Sequence, residues 1–457
     1  MTSLNKELEP APQRGLLRVF GMAFALAIGV GVTIGGGILR TPGEIAALLP
    51  SAGLIMAVWV FGGINALLGA TVYSELGAML PRSGGMYVIA QRALGDYPGF
   101  LVGYTNWLAD CAALAALALL VGEYSGVLVP AFAGHSRAVA VATLLILVAM
   151  QARGVRWGGG FQIATTLGKT LALGGLVIAA FVLPHPVSGT PVATTAVPHG
   201  TALLAAFAIA MQSVVFTYNG YFYTIFFGEE LHDPGRQIPR AMFRGLWLII
   251  AVYLSLNAAF LWVLPIARMA HEPFVGGVVA QVLFGQSGDA IIRSIVIVSV
   301  FGTVNALLLA APRILLAMGR DRLFAPQATR VNAGGTPVFG LLLSTALACA
   351  FLLSGTFSAV LAIAATFMVM YYLMMYLSLL ALRRNEPLAP RPYRAWGYPW
   401  TTWLGLLIAV AFLLGVALGD TPHATIALLI LLASYPLYLV TRMLLRPATL
   451  LPDVSEK

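Results

Sequence analysis

Long apolar segments recur along the chain and alternate with short polar connections. Each segment is continuously apolar and rich in Leu, Ala and Gly, whereas the strands of a membrane β-barrel alternate apolar and polar residues. An α-helix needs about 20 apolar residues to cross a bilayer core roughly 30 Å thick. The pattern therefore predicts an all-α polytopic membrane protein with 12 transmembrane helices, over residues 16–39, 52–80, 98–130, 138–152, 161–184, 201–227, 239–264, 289–318, 337–354, 358–382, 401–419 and 424–445.

Two of these segments are interrupted near their middle. The first contains "GVGVTIGGG" at 29–37, and the sixth contains "FTYNGY" at 216–221. Interrupted segments at corresponding positions of two halves are typical of transporters built from inverted repeats. We therefore predict a 5+5 inverted repeat with broken first and sixth helices plus two extra helices. The predicted units are a cytoplasmic tail at 1–15, repeats at 16–184 and 201–382, two additional helices at 401–446 and a cytoplasmic tail at 447–457.

The glycine run at 29–37 has three interpretations. Its GxGxxxG spacing approaches a dinucleotide-binding fingerprint, but that motif requires a strand before it and a soluble βαβ unit. Gly31 and Gly35 also have the spacing of a helix-packing face. Gly35, Gly36 and Gly37 are consecutive, however, so they point around the helix, and each weakens helix propensity by about 1 kcal/mol. The run therefore favours an unwound stretch whose backbone groups line a cavity or meet a ligand.

Unwound backbone at membrane depth suits a zwitterionic ligand. Free N–H groups at the start of the following half-helix bind a carboxylate, helped by the helix dipole. Free carbonyls from both interruptions accept hydrogen bonds from an amino group. An α-amino acid carries both groups on one carbon. We therefore expect residues 35–37 to present N–H groups to a carboxylate, while carbonyls of residues 31–34 face an amino group.

Composition and charge placement agree with a membrane protein and add its orientation. Of 457 residues, 60% are hydrophobic and 9% are charged, whereas soluble domains carry about 25% charged residues. In one orientation, 21 of the 26 Lys and Arg residues lie in the cytoplasmic loops and tails. The positive-inside rule then places both termini in the cytoplasm and predicts a multi-pass protein of the cytoplasmic membrane. The net charge of +9 therefore reflects topology and does not indicate a nucleic acid partner.

Motifs for enzymatic or metal chemistry do not appear in the sequence. Cys111 and Cys349 both lie in apolar segments, so they indicate neither a disulfide framework nor a Cys-based metal site. There is no HExxH motif and no P-loop, and the six histidines fall in loops or at segment edges. We therefore predict that the protein is not an enzyme and that it uses no cofactor and no metal.

Five motifs then occur in a characteristic order. The first interruption reads "TIGGGILRTPGEI", and the sixth segment and its exit read "FTYNGYFYTIFFGEELHDPGRQIPRA". The others are "YSELGAMLPRSGGMY", "FGTVNALLLAAPRILLAMGRDRLFAP" and "EPLAPRPYRAWGYP". Over nearly the whole chain the sequence resembles the amino acid-polyamine-organocation (APC) superfamily, most closely its L-type amino acid transporter branch. The resemblance implies alternating access, with the substrate's carboxylate on the first interruption and its amino group on carbonyls of both.

The same resemblance implies a substrate site with two walls. Phe216 falls at the family's aromatic gate, which closes over the substrate from outside. Gly36 stands where the family often has Ser, and Asn219 and Tyr221 replace a Gly and a Trp, so the side-chain preference stays open. The implied substrate-binding residues are Thr33, Ile34, Gly35, Gly36 and Gly37 in the first wall and Phe216, Tyr218, Asn219 and Gly220 in the second.

Two charged residues lie deep inside predicted helices. A Lys at the bilayer centre costs about 2.5–3.5 kcal/mol on insertion scales, so Lys169 in the fifth segment is a functional candidate. The resemblance implies that its ammonium group replaces a sodium ion between the first and eighth helices. The carbonyls of residues 31–34 then face either an amino group of the substrate or Lys169. We expect Lys169 to couple conformation, with or without protons, to transport. Asp110 in the third segment is the second candidate for a coupling or ion-substituting role. Three contacts are open for Asp110: an ion pair with Lys169, a cationic substrate, or a bond to a neighbouring helix.

The predicted cytoplasmic ends of the helices carry three acidic residues. We expect them to form gate contacts with nearby basic residues or to lie solvated at the interface. The acidic residues are Glu75, Glu229 and Glu230, and the expected basic partners are Arg82, Arg236 and Arg240.

Together these features predict a sodium-independent secondary amino acid transporter. Its partners are then a small amino acid substrate, membrane lipid and, in a symporter, protons. Proton symport and amino acid exchange both remain open, as do the oligomeric state and any accessory subunit. The alternatives are a polyamine or cationic amino acid exchanger, which requires acidic residues in the pocket, and a nutrient sensor with a transporter fold.

Overall fold

A computed structural model describes residues 15–184, 196–354, 357–419 and 421–445. The described residues form α-helices and short 3₁₀ helices, with two isolated β-bridges, Phe20 with Leu231 and Ser83 with Phe227. The α-helices are α1 (Met22–Thr33), α2 (Thr41–Leu48), α3 (Ala52–Met79), α4 (Met86–Leu94), α5 (Asp96–Leu128), α6 (Ser136–Ala152), α7 (Val155–Val182), α8 (Thr201–Tyr218), α9 (Pro234–Val263), α10 (Ile266–Met269), α11 (Val275–Phe284), α12 (Gly288–Arg320), α13 (Val338–Ser354), α14 (Phe357–Asn385), α15 (Trp400–Gly419) and α16 (Thr421–Leu445).

These helices confirm an all-α polytopic membrane protein. Within the described ranges, nine helices are long and apolar enough to cross a bilayer. Three shorter apolar helices, α1, α6 and α13, fall in the remaining predicted segments. The total of 12 transmembrane helices and the division into repeats stay predictions. Most of both predicted tails lies outside the described residues.

The first interruption is a break between two short helices. Helix α1 ends at Thr33, residues 34–36 are not helical, and a 3₁₀ helix (Gly37–Leu39) leads to α2. The sequence predicts that this segment ends at residue 39, but α2 continues to Leu48. Pro42 lies in the first turn of α2, where its missing N–H group has no helical acceptor to lose.

The second interruption follows α8, which ends at Tyr218. Asn219 is extended, and Gly220 has a φ of 117°, in the left-handed region that favours glycine. A Cβ on Gly220 would lie 3.0 Å from the Thr33 backbone nitrogen, so the two breaks touch at this point. A 3₁₀ helix, Tyr221–Phe226, continues the segment.

The two breaks lie in the middle of the bundle. Helix α1 packs against α7, α9, α12 and the 3₁₀ helix Tyr221–Phe226. The long helices α5 and α12 pack against each other, and α14 packs against α5. Helix α15 packs against α14 and α3, and α16 packs against α14, α15 and α5. The last two helices therefore lie on one side of a core that encloses both breaks.

Candidate functional site

A cavity of about 630 Å³ lies between the two breaks and helices α5, α12 and α14. Thr33 and Gly37 line it from the first break, and Phe216 and Asn219 line it from the second. The two breaks contact each other, and the cavity lies beside them. A volume of this size is typical of a small-molecule pocket.

The other predicted wall residues lie elsewhere. Ile34 is fully buried, and Gly220 is packed against the first break. Tyr218 is buried, and its hydroxyl donates to the Trp59 carbonyl at 3.3 Å. Gly35 and Gly36 are partly exposed but are not among the residues lining the cavity. Four of the nine predicted residues, Thr33, Gly37, Phe216 and Asn219, therefore line the cavity directly.

Lys169 binds the first break through its ammonium group. Its Nζ atom donates to the carbonyls of Gly31 at 2.6 Å and Ile34 at 2.7 Å. It also reaches the Ser299 carbonyl of α12 at 3.3 Å. The side chain is 1% exposed. The ammonium group thus occupies a cage of carbonyl oxygens between α1, α7 and α12.

Two hydroxyl groups of α12 complete this cage. Ser299 Oγ donates to the Ile34 carbonyl at 3.0 Å, and Thr303 Oγ1 lies 3.2 Å from the Gly31 carbonyl. The carbonyls of Gly31 and Ile34 are therefore held by the chain's own donors. Of the two expectations for these carbonyls, an amino group or Lys169, the structure supports Lys169.

The N–H groups of the first break differ in one respect from the expectation. Gly35 donates its N–H group to the Thr33 carbonyl at 2.9 Å, so its predicted role as a free donor is wrong in this conformation. The run closes a tight turn on itself immediately after α1. The N–H groups of Gly36, Gly37 and Ile38 have no backbone acceptor within the described ranges. The available donors therefore begin one residue later than predicted.

Tyr253 of α9 joins the two breaks, and sequence reasoning missed it. Its hydroxyl lies 2.8 Å from the Thr33 carbonyl and 3.0 Å from the Thr217 carbonyl. The side chain is buried against Trp59 and Tyr218. A single hydroxyl hydrogen serves two carbonyls, so one of them keeps capacity for another donor. No local motif marks Tyr253, because its partners are distant in the sequence.

A family model for amino acid permeases matches residues 15–435. The chain belongs to the amino acid permease family. This membership confirms the resemblance to L-type amino acid transporters that the motifs indicate. It also agrees with the prediction that the protein is a transporter and not an enzyme.

Three curated relatives of this permease span most of its length. The serine/threonine exchanger SteT of Bacillus subtilis is 28% identical, over 93% of this chain and 97% of its own. The Asc-type amino acid transporter 1 of Mus musculus is 27% identical, over 87% and 75%. The large neutral amino acids transporter small subunit 2 of Homo sapiens is 26% identical, over 94% and 83%.

Asp110 lies on the cavity wall of this permease and is 4% exposed. Tyr223, in the 3₁₀ helix after the second break, donates its hydroxyl to Asp110 Oδ1 at 2.7 Å. Asn106 Nδ2 lies 3.4 Å from the same oxygen. Among the ion pairs of the described residues, none joins Asp110 to Lys169. Of the three roles left open, a bond to a neighbouring segment is present, and Asp110 also faces the cavity.

The gate partners predicted for the acidic residues of this permease are wrong. Glu75 contacts Arg383 at 2.7 Å and Arg391 at 3.0 Å. Glu230 forms a buried ion pair with Arg313, and Glu229 contacts Arg320 at 2.7 Å.

The basic residues expected as gate partners contact other acidic residues. Arg82 contacts Asp321 at 3.2 Å, and Arg236 contacts Asp233 at 3.9 Å. The sequence predicts basic partners that are near in the chain, but helix packing brings basic residues of α12 and of residues 383–391 closer to the three glutamates.

These ion pairs lie together at the end of the bundle that carries Arg82, Glu229 and Arg320, which we call the basic end. Ser83 donates its N–H group to Glu229 at 3.2 Å, which links two of the connections there. Burial raises the pKa of Glu230, and the guanidinium group of Arg313 opposes that shift. The Arg313 guanidinium also stacks over the Phe227 ring at 4.5 Å. The basic end is therefore held by both buried and exposed charge pairs.

Proposed function

We propose that this permease is a sodium-independent secondary amino acid transporter that works by alternating access and exchanges one amino acid for another. The observation that carries the proposal is the ammonium group of Lys169, bound to the carbonyls of Gly31 and Ile34 beside α12. Family membership supports amino acid transport. Exchange is favoured over proton symport because the relative matched over 97% of its length is a serine/threonine exchanger.

The substrate's α-carboxylate then binds the N–H groups of Gly36, Gly37 and Ile38. These groups lack backbone acceptors in the described part of the chain and precede α2, whose dipole favours an anion. The α-amino group binds the carbonyl of Thr217, because the Thr33 carbonyl already accepts from the Gly35 N–H group. Phe216 lines the cavity beside this position and is the proposed gate.

Lys169 explains why transport needs no sodium. A cation bound by carbonyls between α1 and α12 stabilises the break, and the ammonium group of Lys169 supplies that charge without a bound metal ion. We further propose that loss of its proton releases the carbonyls and loosens the break, which couples Lys169 to the change of access. The protein then lies in the cytoplasmic membrane, with its basic end and both termini on the cytoplasmic side.

Counterflow in liposomes tests the proposal. Purified protein is reconstituted with unlabelled amino acid inside, and uptake of labelled amino acid is measured with and without a sodium gradient. We expect uptake that depends on internal amino acid and not on sodium. Lys169→Ala should abolish it, because the carbonyls of Gly31 and Ile34 lose their cation. Gly168→Ala is the matched control, since a Cβ there meets no atom within 4 Å.

Three results would contradict the proposal. Sodium-driven uptake together with a fully active Lys169→Ala variant would exclude the proposed role of the ammonium group. Binding of amino acids without any counterflow would indicate a sensor. Uptake that follows a proton gradient and needs no internal amino acid would replace exchange by symport.

A further inference from the structure

The wall of the cavity formed by α5 carries two polar residues that belong to neither break. Asp110 and Asn106 lie one turn apart on α5 and are 4% and 3% exposed. Asp110 Oδ2 and Asn106 Oδ1 have no hydrogen-bond partner among the described residues. Both atoms are acceptors, and a buried acceptor without a donor costs free energy. Two such atoms on one cavity wall indicate a site that a ligand completes.

The carboxyl group of Asp110 forms no ion pair with any of the described residues. Among the described residues, its Oδ1 atom accepts from two neutral groups, the Tyr223 hydroxyl at 2.7 Å and Asn106 Nδ2 at 3.4 Å. No Lys, Arg or His is found among the described residues lining the cavity. The nearest candidate by sequence reasoning, Lys169, is held by three backbone carbonyls instead. An ionisable group inside a membrane needs a partner, and here the substrate can supply it.

We propose that Asp110 and Asn106 form the subsite for the substrate's side chain, and that this subsite takes amino acids whose side chain ends in a hydrogen-bond donor, either a hydroxyl or an ammonium group. The inference rests on the proposed function, because the breaks must hold the α-carboxylate and α-amino group of the same molecule. Apolar residues of the same cavity, Ala113, Leu117 and Met368, contact the carbon stem of that side chain.

Counterflow with isosteric pairs of amino acids tests the subsite. Serine is compared with 2-aminobutyrate, threonine with valine, and ornithine with norleucine. Within each pair the two side chains have nearly the same shape, but only the first can donate a hydrogen bond. In at least one pair, we expect the amino acid with the donating side chain to be transported with a kcat/KM at least about tenfold higher than that of its apolar isostere. The isostere would leave the polar groups of the subsite unpaired. A preference within the serine or threonine pair indicates a subsite for a hydroxyl group, and a preference within the ornithine pair indicates a subsite for an ammonium group.

Two variants assign the preference to this wall. Asp110→Asn keeps the shape of the side chain and removes its charge, and Asn106→Leu removes the second acceptor. Each variant should reduce the ratio of kcat/KM for the amino acid with the donating side chain to kcat/KM for its isostere at least about tenfold, while valine uptake is retained. Asp96→Asn is the control, because Asp96 lies on the same helix outside the cavity and contacts Gln91.

Equal transport within all three pairs by the unaltered protein would overturn the inference, and this result does not depend on whether the variants fold. An equal loss of uptake for every amino acid, valine included, would also overturn it. In that case Asp110 would act on a group common to all substrates. Absence of counterflow with any amino acid would instead refute the proposed function, so the two failures are distinguishable.

Discussion

At the scale of single residues, the glycine run 29–37 has two kinds of position. A Cβ on Gly31 would overlap the side chains of Gln162 and Thr166, so this glycine allows close packing of α1 on α7. A Cβ on Gly35 would meet nothing within 4 Å. The packing interpretation therefore applies to Gly31, and the interpretation as a break applies to residues 34–36. Spacing alone could not separate them, because the neighbours come from α7.

Tyr253 offers a residue-scale prediction. Tyr253→Phe removes the hydroxyl that lies within 3.0 Å of the carbonyls of Thr33 and Thr217. The loss leaves buried carbonyls with fewer donors, which costs about 1–3 kcal/mol. We expect the rate of amino acid counterflow to fall about tenfold, because the two breaks are no longer joined. Tyr435→Phe is the control, since Tyr435 is 49% exposed on α16. An unchanged rate in Tyr253→Phe would show that the bridge is dispensable.

At the scale of helices, the apolar pattern predicts the long elements well. The predicted segments 52–80 and 337–354 correspond to α3 and α13 within one residue at each end. Helices α4 and α11 were not predicted, because their lengths of 9 and 10 residues are too short to produce a spanning apolar run. The pattern detects burial in lipid over a full span, and these helices connect spans.

Glu75 supports an element-scale prediction. Its buried carboxylate accepts from Arg383 at 2.7 Å and from the Ala395 N–H group at 2.6 Å, and it lies beside Arg391. It therefore ties α3 to the segment after α14. Glu75→Ala leaves the 2% exposed side chain of Arg391 without its carboxylate. The free energy of unfolding should fall by about 3–5 kcal/mol.

The measurement is thermal unfolding of the purified protein in detergent. Glu386→Ala is the matched control, because its pair with Arg92 is much more exposed, with 27% of the Glu386 side chain and 59% of the Arg92 side chain accessible. Exposed pairs contribute about 0–1 kcal/mol. Equal melting temperatures for the two variants would show that the buried contact does not hold the segment.

At the scale of the whole molecule, the orientation in the membrane is a prediction from charge placement. Arg322 is exposed at the basic end, and His271 is exposed in the connection between α10 and α11. In a variant with both native cysteines replaced by alanine, single cysteines are introduced as Arg322→Cys and His271→Cys. A membrane-impermeant thiol reagent should label His271→Cys in intact cells and Arg322→Cys only after permeabilisation. The reverse pattern would refute the orientation.

The sequence by itself determined the helical membrane class, the positions of the long helices and the location of both breaks. These follow from local properties: apolar length, glycine content and the order of motifs. Only the tertiary structure decided that Lys169 holds Gly31 and Ile34, that Arg313 pairs with Glu230, and that Tyr253 spans the breaks. Each of these contacts joins residues far apart in the chain, and their distances and directions depend on how whole helices pack.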